Sequence, residues 1–373
     1  MSGKTPDADT YALRTADVPE IDAPILNYRP PVPQAYRPRI ALIGAGGIAS
    51  AHLDAYRKAG FDVAAICNRT LSKAEALRSE FFPDANVTDR YDELLEDPSL
   101  AVFDITPHPD VRFGMIEKAL AAGKHVLSQK PFVTDLDAGA ALVQQARDNN
   151  LRLAVNQNGR WSPHMAYMRE AVRTGLIGDV ISAHAHMHWD HSWIADTPFN
   201  DIHDLILYDF GVHWFDFISS LLGNRMQTVF ATQVRAKDQT GKPPLLSQAL
   251  IGFEGGQASL VFDGSVKHGA LDSTFIGGTK GSLNSVGKDL NAQSVTLTTE
   301  HGEARPELLG TWFNDGFAGT MGELLSAIEQ DREPENSAAT NLQSLALTFA
   351  AIQSAHTGIP VDIGAIRTLP QLG

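Results

Sequence analysis

The 373-residue sequence has almost no cysteine: Cys67 stands alone. One thiol cannot close an internal disulfide, so nothing in the chain calls for an oxidising compartment. Long apolar runs are also missing. No stretch approaches the ~20 residues that a membrane helix needs, and the opening MSGKTPDADT carries no apolar signal core. Basic charge is scarce, with 30 Lys and Arg against 44 Asp and Glu and a formal net charge of −14. Such a surface repels nucleic acid and anionic lipid, so no nucleic-acid or membrane partner is expected; a local basic pocket for a phosphate stays open. These absences together predict a cytoplasmic protein. What is present is an ordinary globular balance, 43% hydrophobic and 20% charged. The chain is longer than one hydrophobic core usually supports, so two domains are expected.

Residues 1–37 form a separate region. Pro19, Pro24, Pro30, Pro31 and Pro33 break any helix, and no apolar period emerges. The segment reads as an extended arm, either a free tail or a strap over a neighbouring domain or subunit. From about Arg39, apolar runs alternate with helical patterns. Ile40–Ile43, Val63–Cys67, Val102–Thr106, His125–Ser128 and Leu153–Asn156 predict strands, separated by helices within 50–59, 72–81, 91–95, 111–122 and 135–149. Continuous apolar strands separated by helices indicate a parallel sheet covered on both faces, here residues 38–157.

After residue 158 the order changes. Helices are predicted at 164–174 and 207–222, then closely spaced strand-like runs near 228–235, 248–253, 257–263, 273–277 and 294–299, following a strand at 180–188. Helices near 316–330 and 341–357 close the chain. The expected fold class is α/β: an N-terminal dinucleotide-binding domain, then an α/β domain over 158–373 with a large open, mainly antiparallel sheet. The closing helices are candidates to pack back on the first domain.

Gly44-Ala45-Gly46-Gly47-Ile48-Ala49 fits G-x-G-x-x-A directly after a strand and at the start of a helix. Gly44 permits the tight turn, Gly46 lets a pyrophosphate approach the backbone, and Ala49 allows close helix–strand packing. The helix N-terminus offers free N–H groups to the phosphates. The second strand ends at Cys67-Asn68-Arg69-Thr70, without the carboxylate that would bind the adenosine ribose of NAD. Asn68 can bond a ribose, and Arg69 can pair with a 2′-phosphate or sit solvated on the surface. NADP is therefore favoured over NAD.

Two further segments carry chemistry. His125-Val126-Leu127-Ser128-Gln129-Lys130-Pro131 ends in Lys-Pro at the carboxyl edge of the parallel sheet, where ligands of such sheets bind. Asp209, His213 and Asp216 lie in a helical pattern, with Asp209 and His213 four apart on one face. A carboxylate beside a histidine can orient it as a proton acceptor; the same pair can equally satisfy itself in a helix interface.

With these residues in place, the chain resembles the Gfo/Idh/MocA oxidoreductases, the family of glucose–fructose oxidoreductase and inositol dehydrogenase. The resemblance runs from about Arg39 to the C-terminus. It rests on the glycine loop, Thr106-Pro107, Ala122-Gly123-Lys124-His125-Val126 leading to Lys130-Pro131, Asn158-Gly159-Arg160-Trp161-Ser162-Pro163, and Asp209…His213…Asp216. It implies a Rossmann domain, a second α/β domain with a large open sheet, dimers or tetramers, and hydride transfer between nicotinamide and a sugar carbon. By that resemblance Lys130, Asp209 and His213 are catalytic, with Lys130 contacting both the nicotinamide ribose and the reacting oxygen and His213 the base. Thr106, Pro107, His108, Gln129 and Asn158 join the cofactor contacts, and Asn158 and Arg160 join the substrate contacts. Gln129 departs from the common Glu-Lys-Pro, His108 stands where asparagine is frequent, and Val111 stands where a histidine is common.

His184, His186, His188 and His191 invite a metal reading, since the first three share a strand face. Only Asp190 is a nearby acidic ligand and no cysteine completes the set, so no metal is assigned. Trp189-Asp190-His191 fits a sugar pocket better: indole faces stack on C–H surfaces while Asp and His bond hydroxyls. Core or subunit packing is the competing reading for the tryptophans. The resulting expectation is an NAD(P)-dependent oxidoreductase acting on a sugar, sugar derivative or inositol. Two alternatives remain open: a glycoside-cleaving enzyme using transient oxidation and elimination, and a non-catalytic sugar or dinucleotide sensor.

Overall fold

The computed structural model describes residues 18–371; the first half of the arm lies outside the described residues. In the first domain β1 (Arg39–Ile43), β2 (Asp62–Cys67), β3 (Asn86–Thr88), β4 (Leu100–Ile105), β5 (His125–Ser128) and β6 (Leu153–Val155) form a sheet in the order β3-β2-β1-β4-β5-β6. All its pairings are parallel. The helices α1 (Ala49–Ala59), α2 (Leu71–Phe81), α3 (Tyr91–Glu96), α4 (Pro109–Ala121) and α5 (Leu136–Asp148) connect the strands. The strand order reverses between β1 and β4, which places a crevice at their carboxyl ends.

In the second domain α6 (Pro163–Arg173) leads into β7 (Val180–His188). α7 (Val212–Leu222) is followed by β8 (Met226–Val234), β9 (Leu246–Phe253), β10 (Gly256–Asp263), β11 (Leu271–Gly278), β12 (Gly281–Gly287), β13 (Gln293–Thr299) and β14 (Gly302–Ala304). Then come α8 (Trp312–Glu329), α9 (Ala338–Thr357) and β15 (Val361–Asp362). Among the described residues the sheet runs β14-β13-β12-β11-β7-β10-β9-β8-β15, antiparallel throughout except for the β7–β10 pair. Sequence reading misses β3, β12, β14 and β15. β12 is a small, polar Gly-Ser-Leu-Asn-Ser-Val-Gly run, and the other three are too short to show a period.

The closing helices bind the two domains into one body. Phe317, Met321, Leu324 and Leu325 of α8 share a core with Ile40, Leu42, Leu53 and Tyr56 of the first domain. α9 is buried on two faces. Leu345 and Phe349, one turn apart, pack with Phe103 and Val126, while Leu347, Ala350 and Ala351 pack on the large sheet with Phe215 and Ile218. A helix with apolar residues on more than one face belongs in such a position. The cleft between domains is thereby walled by shared core rather than spanned by a linker.

The described part of the arm straps its own chain. Ile21 N donates to Glu303 O and Glu303 N to Pro19 O, making a bridge at the β14 edge. Further on, the Glu329 carboxylate of α8 accepts the backbone N–H groups of Gln34, Ala35 and Tyr36. Proline-rich extended chain loses little entropy on docking this way.

Candidate active site

The glycine loop begins where β1 ends. Gly44 has φ +101°, and a Cβ there would come within 2.4 Å of Thr106 Oγ1, so only glycine permits this approach. Thr106 N and Oγ1 both donate to Ile43 O at 2.9 Å, pinning the end of β4 to the loop. A Cβ on Gly46 or Gly47 would meet no protein atom within 4 Å. Those glycines therefore bare the backbone toward the crevice, as a pyrophosphate requires. α1 opens beside them with Ile48 as its N-cap, no side-chain cap and no acidic residue in its first turn. Ala49 N and Ala51 N already donate to Gly46 O and Ile48 O, but no carboxylate competes with an anion for the helix dipole. Asn68 is partly spent internally: its Oδ1 accepts Ala45 N at 3.0 Å and its Nδ2 donates to Thr70 O at 2.9 Å. It shapes the loop. Arg69 and Thr70 are exposed at the end of β2, and His108 is exposed at the N-cap of α4, after Thr106-Pro107. These residues fit a bound dinucleotide.

Lys130 follows β5 at the same carboxyl edge, and its Nζ reaches across to the second domain. It donates to Asp209 O at 2.7 Å and to Asp209 Oδ1 at 3.2 Å. Two buried groups set this geometry, and the sequence reading found neither. Arg112 of α4 donates to the carbonyls of Pro107, Pro131 and Phe132, clamping the two cofactor-side turns together; burial pulls its guanidinium down to about 10. Beneath Lys130 lies a polar network. Asp104 accepts Tyr56 Oη and pairs with His52 Nδ1, each at 2.7 Å. His52 Nε2 meets Gln129 Nε2 at 3.0 Å and Asn156 Nδ2 at 3.1 Å, while Gln129 Oε1 accepts Lys130 N at 2.7 Å. Gln129 is therefore corrected from cofactor contact to buried support: its amide is 7% exposed and turned inward. A histidine on α1 spaced from an aspartate at a strand end was the available signal for this network.

The helix expected over 207–222 is broken. Ile206–Phe210 forms a π-helical turn, Gly211 follows, and α7 begins at Val212. A Cβ on Gly211 would come within 2.7 Å of Ile206 O and 3.2 Å of Phe262, so glycine is needed where the wide turn tightens into the helix. The wide turn disturbs the four-residue spacing, and π-bulges commonly mark functional sites. Asp209 consequently bonds Lys130. Among the described residues it makes no hydrogen bond to His213, which corrects its expected role as orienter of that base.

His213 is half-buried among rings, 5.7 Å from Trp312 and 6.5 Å from Trp214 between centroids. Its Nδ1 is buried without a partner. Burial first, then the Lys130 charge, hold its imidazole well below the usual histidine range. Around this edge other polar atoms are buried and unpartnered: the Gln157 amide, Asn158 Oδ1, His164 Nε2 and Tyr208 Oη. Orphans of this kind are costly unless a ligand satisfies them.

Arg160 is a third correction. Its Nε and Nη2 donate to the two Asp216 oxygens at 2.6 and 2.9 Å, and Ser344 adds a third bond to that carboxylate. Arg160 is 7% exposed and Asp216 1%, so both charges are consumed in a buried pair within the second domain rather than offered to a substrate. Trp189 and His191 form an aromatic wall. Their rings stack at 5.8 Å, with Phe210 4.5 Å from His191 and Trp214 5.5 Å from Trp189. Trp189 Nε1 and His191 Nδ1 lack partners, and burial lowers the His191 imidazole to about 4. Asp190 is exposed and accepts Ser192 N at 2.9 Å. His184 and His188 lie on the open face of the sheet, bonded to Ser259 and Asp263.

This arrangement is that of a dinucleotide-binding oxidoreductase with a second α/β domain. Residues 38–157 match the model for the oxidoreductase family with the NAD-binding Rossmann fold, and residues 165–284 match the GFO/IDH/MocA C-terminal domain. The chain belongs to the Gfo/Idh/MocA oxidoreductases, whose first domain binds NAD(P). It is 26% identical over 327 residues to the inositol 2-dehydrogenase of Rhizobium meliloti, covering 85% of this chain and 96% of that one. It is 27% identical over 345 residues to the D-apiose dehydrogenase of Rhizobium rhizogenes, covering 87% and 97%. An uncharacterized oxidoreductase of Schizosaccharomyces pombe is 30% identical over 190 residues, where the match spans only 50% of each chain. Among solved structures, an Agrobacterium radiobacter oxidoreductase in complex with NAD+, L-tartaric acid and magnesium shares the fold. Its TM-score is 0.79 at 23% identity, with 88% of this chain and 99% of that one covered.

Proposed function

We propose that the protein is an NAD(P)-dependent dehydrogenase or reductase acting on a secondary alcohol or ketone of a sugar, sugar derivative or inositol. The observation that carries the reading is the Lys130–Asp209 contact, which joins the edge of the dinucleotide sheet to a distorted turn of the other domain. The named dehydrogenases that match over nearly their full length add to it. A bound dinucleotide supplies the hydride acceptor or donor. The chain's own groups handle the oxygen and its proton. Lys130 Nζ, held by Asp209, offers positive charge to the oxygen as negative charge develops there. His213 is unprotonated at neutral pH, since its imidazole is held low, so it can take the hydroxyl proton in the oxidation direction. Asn158 and the Trp189–His191 wall supply hydroxyl bonding and a stacking face. Arg69, exposed and without a neighbouring carboxylate at the end of β2, favours NADP over NAD.

We further infer a homodimer or homotetramer built on the open sheet face. Leu250, Phe275 and Val286 are 58%, 41% and 41% exposed on the open face, and large apolar side chains set on a sheet face without helices over it favour association. Solution scattering at micromolar concentration should show an oligomer; a monomer refutes it. The function itself is tested with a panel of sugars and inositols, followed at the reduced-nicotinamide absorbance with each cofactor. Turnover of one or more is expected. Sugar release without net cofactor change would favour the glycoside-cleaving alternative, and binding without turnover the sensor.

A further inference from the structure

A second cluster of ligating side chains lies away from the Lys130–His213 site. His203 and Asp204 end the loop before the π turn, His356 sits in the last turn of α9, and Gln233 lies on β8. Asp204 is buried, and its Oδ1 collects three nitrogens: Gln233 Nε2 at 2.6 Å, His356 Nε2 at 2.8 Å and His203 Nδ1 at 3.1 Å. The ligating atoms of His203, Asp204 and His356 all lie within 4.8 Å of one another.

We propose that His203, Asp204 and His356 bind a divalent metal ion of the zinc class, with Gln233 Oε1 completing a four-coordinate site. Two imidazoles and a carboxylate are the donor set that zinc and its neighbours prefer. The independent observation is Gln233 itself. Its Oε1 is buried without a partner, while its Nε2 faces the carboxylate. Turning the amide over would bring Oε1 to the cluster, but without an ion it would set two oxygens against each other and leave Nε2 in the unpartnered position. That orientation becomes favourable only with a cation between them. Such an ion replaces the protons the two histidines now direct at Asp204, and it gives Gln233 Oε1, unpartnered at present, a ligand to bind.

The placement defines what the ion does. Asp204 O accepts Tyr208 N at 2.8 Å, so the site lies at the root of the π turn that presents Asp209. An ion there staples that loop to α9 and β8. Four protein ligands leave no open position, so its role is structural rather than catalytic. This site is separate from the histidines that invited a metal reading in sequence, which lie on the open sheet face.

The test uses the full-length protein stripped with a chelator. Zn(II) is titrated by calorimetry, and Co(II) is followed by its visible absorption. One ion per chain, with the intense bands of four-coordinate Co(II), is expected. His356→Ala and His203→Ala should each weaken binding by about tenfold or more, since losing a ligand costs at least what losing an outer-shell partner does. His203 is 42% exposed, so its variant should fold, and unchanged dinucleotide affinity verifies this. Saturating Zn(II) should raise the Tm of the parent and not of the variants. No stoichiometric binding by the parent, or full affinity in both variants, overturns the site.

Discussion

Lys130 Nζ is bonded to both the main-chain and side-chain oxygens of Asp209, at 2.7 and 3.2 Å. The lysine is thus aimed by the second domain although it belongs to the NAD-binding one. Asp209→Asn keeps the carbonyl contact and removes the charge. Turnover on a verified substrate should fall by about tenfold, less than on loss of Lys130, with dinucleotide affinity unchanged. The acid limb of the pH profile, which reports His213, should stay in place. A large shift of that limb would restore Asp209 as the partner of His213.

Arg69 provides a cofactor test. Arg69→Ala should weaken NADP by about tenfold and leave NAD nearly unaffected, because only the 2′-phosphate uses the guanidinium. Fluorescence titration with each dinucleotide measures this. Equal loss for both, or a several-fold preference of the parent for NAD, removes the reading.

Arg160 and Asp216 form a buried ion pair within the second domain. Removing one partner strands the other charge, which typically costs about 3–5 kcal/mol. Asp216→Ala should therefore lower the denaturation midpoint sharply. A variant that keeps its stability but loses substrate affinity would return Arg160 to the substrate pocket.

Much of the candidate site was legible because its residues sit at chain positions with local signatures. The glycine loop follows an apolar strand, and Lys130-Pro131 ends another. The two large sheets also followed from spacing of apolar runs. What was not legible depends on contacts distant in sequence. His52, Asp104 and Arg112 gain meaning only when β4, α1 and α4 pack together. Arg160 and Asp216 are separated by more than 50 residues and pair only once the second domain has folded. The π turn was hidden because Gly211 inside an apolar run reads as a tolerated helix glycine.

Asp272 of β11 is buried with neither carboxylate oxygen bonded, and burial pushes its carboxyl up to about 7. The folded state therefore holds a proton that the unfolded chain releases near pH 4. Stability from this group is complete below about pH 4 and is lost as pH rises toward 7, by about 4 kcal/mol at ~1.4 kcal/mol per pH unit. His164, lowered to about 3 by burial, acts oppositely and costs stability as pH falls below about 6.5. Asp272→Asn should thus gain most over the parent at pH 8 and converge with it near pH 4. Thermal unfolding across that range measures the difference; parallel curves for the two proteins would contradict the assignment.

The central claim is that Lys130 and His213 act together on one substrate oxygen between the domains. The most direct measurement is single-turnover hydride transfer by Lys130→Ala and His213→Ala at saturating cofactor and a verified substrate. A positioned proton-transfer group typically contributes ~10²–10⁴-fold, so each variant should slow the step on that scale while dinucleotide affinity is kept. Near-parental rates in both variants would contradict the account.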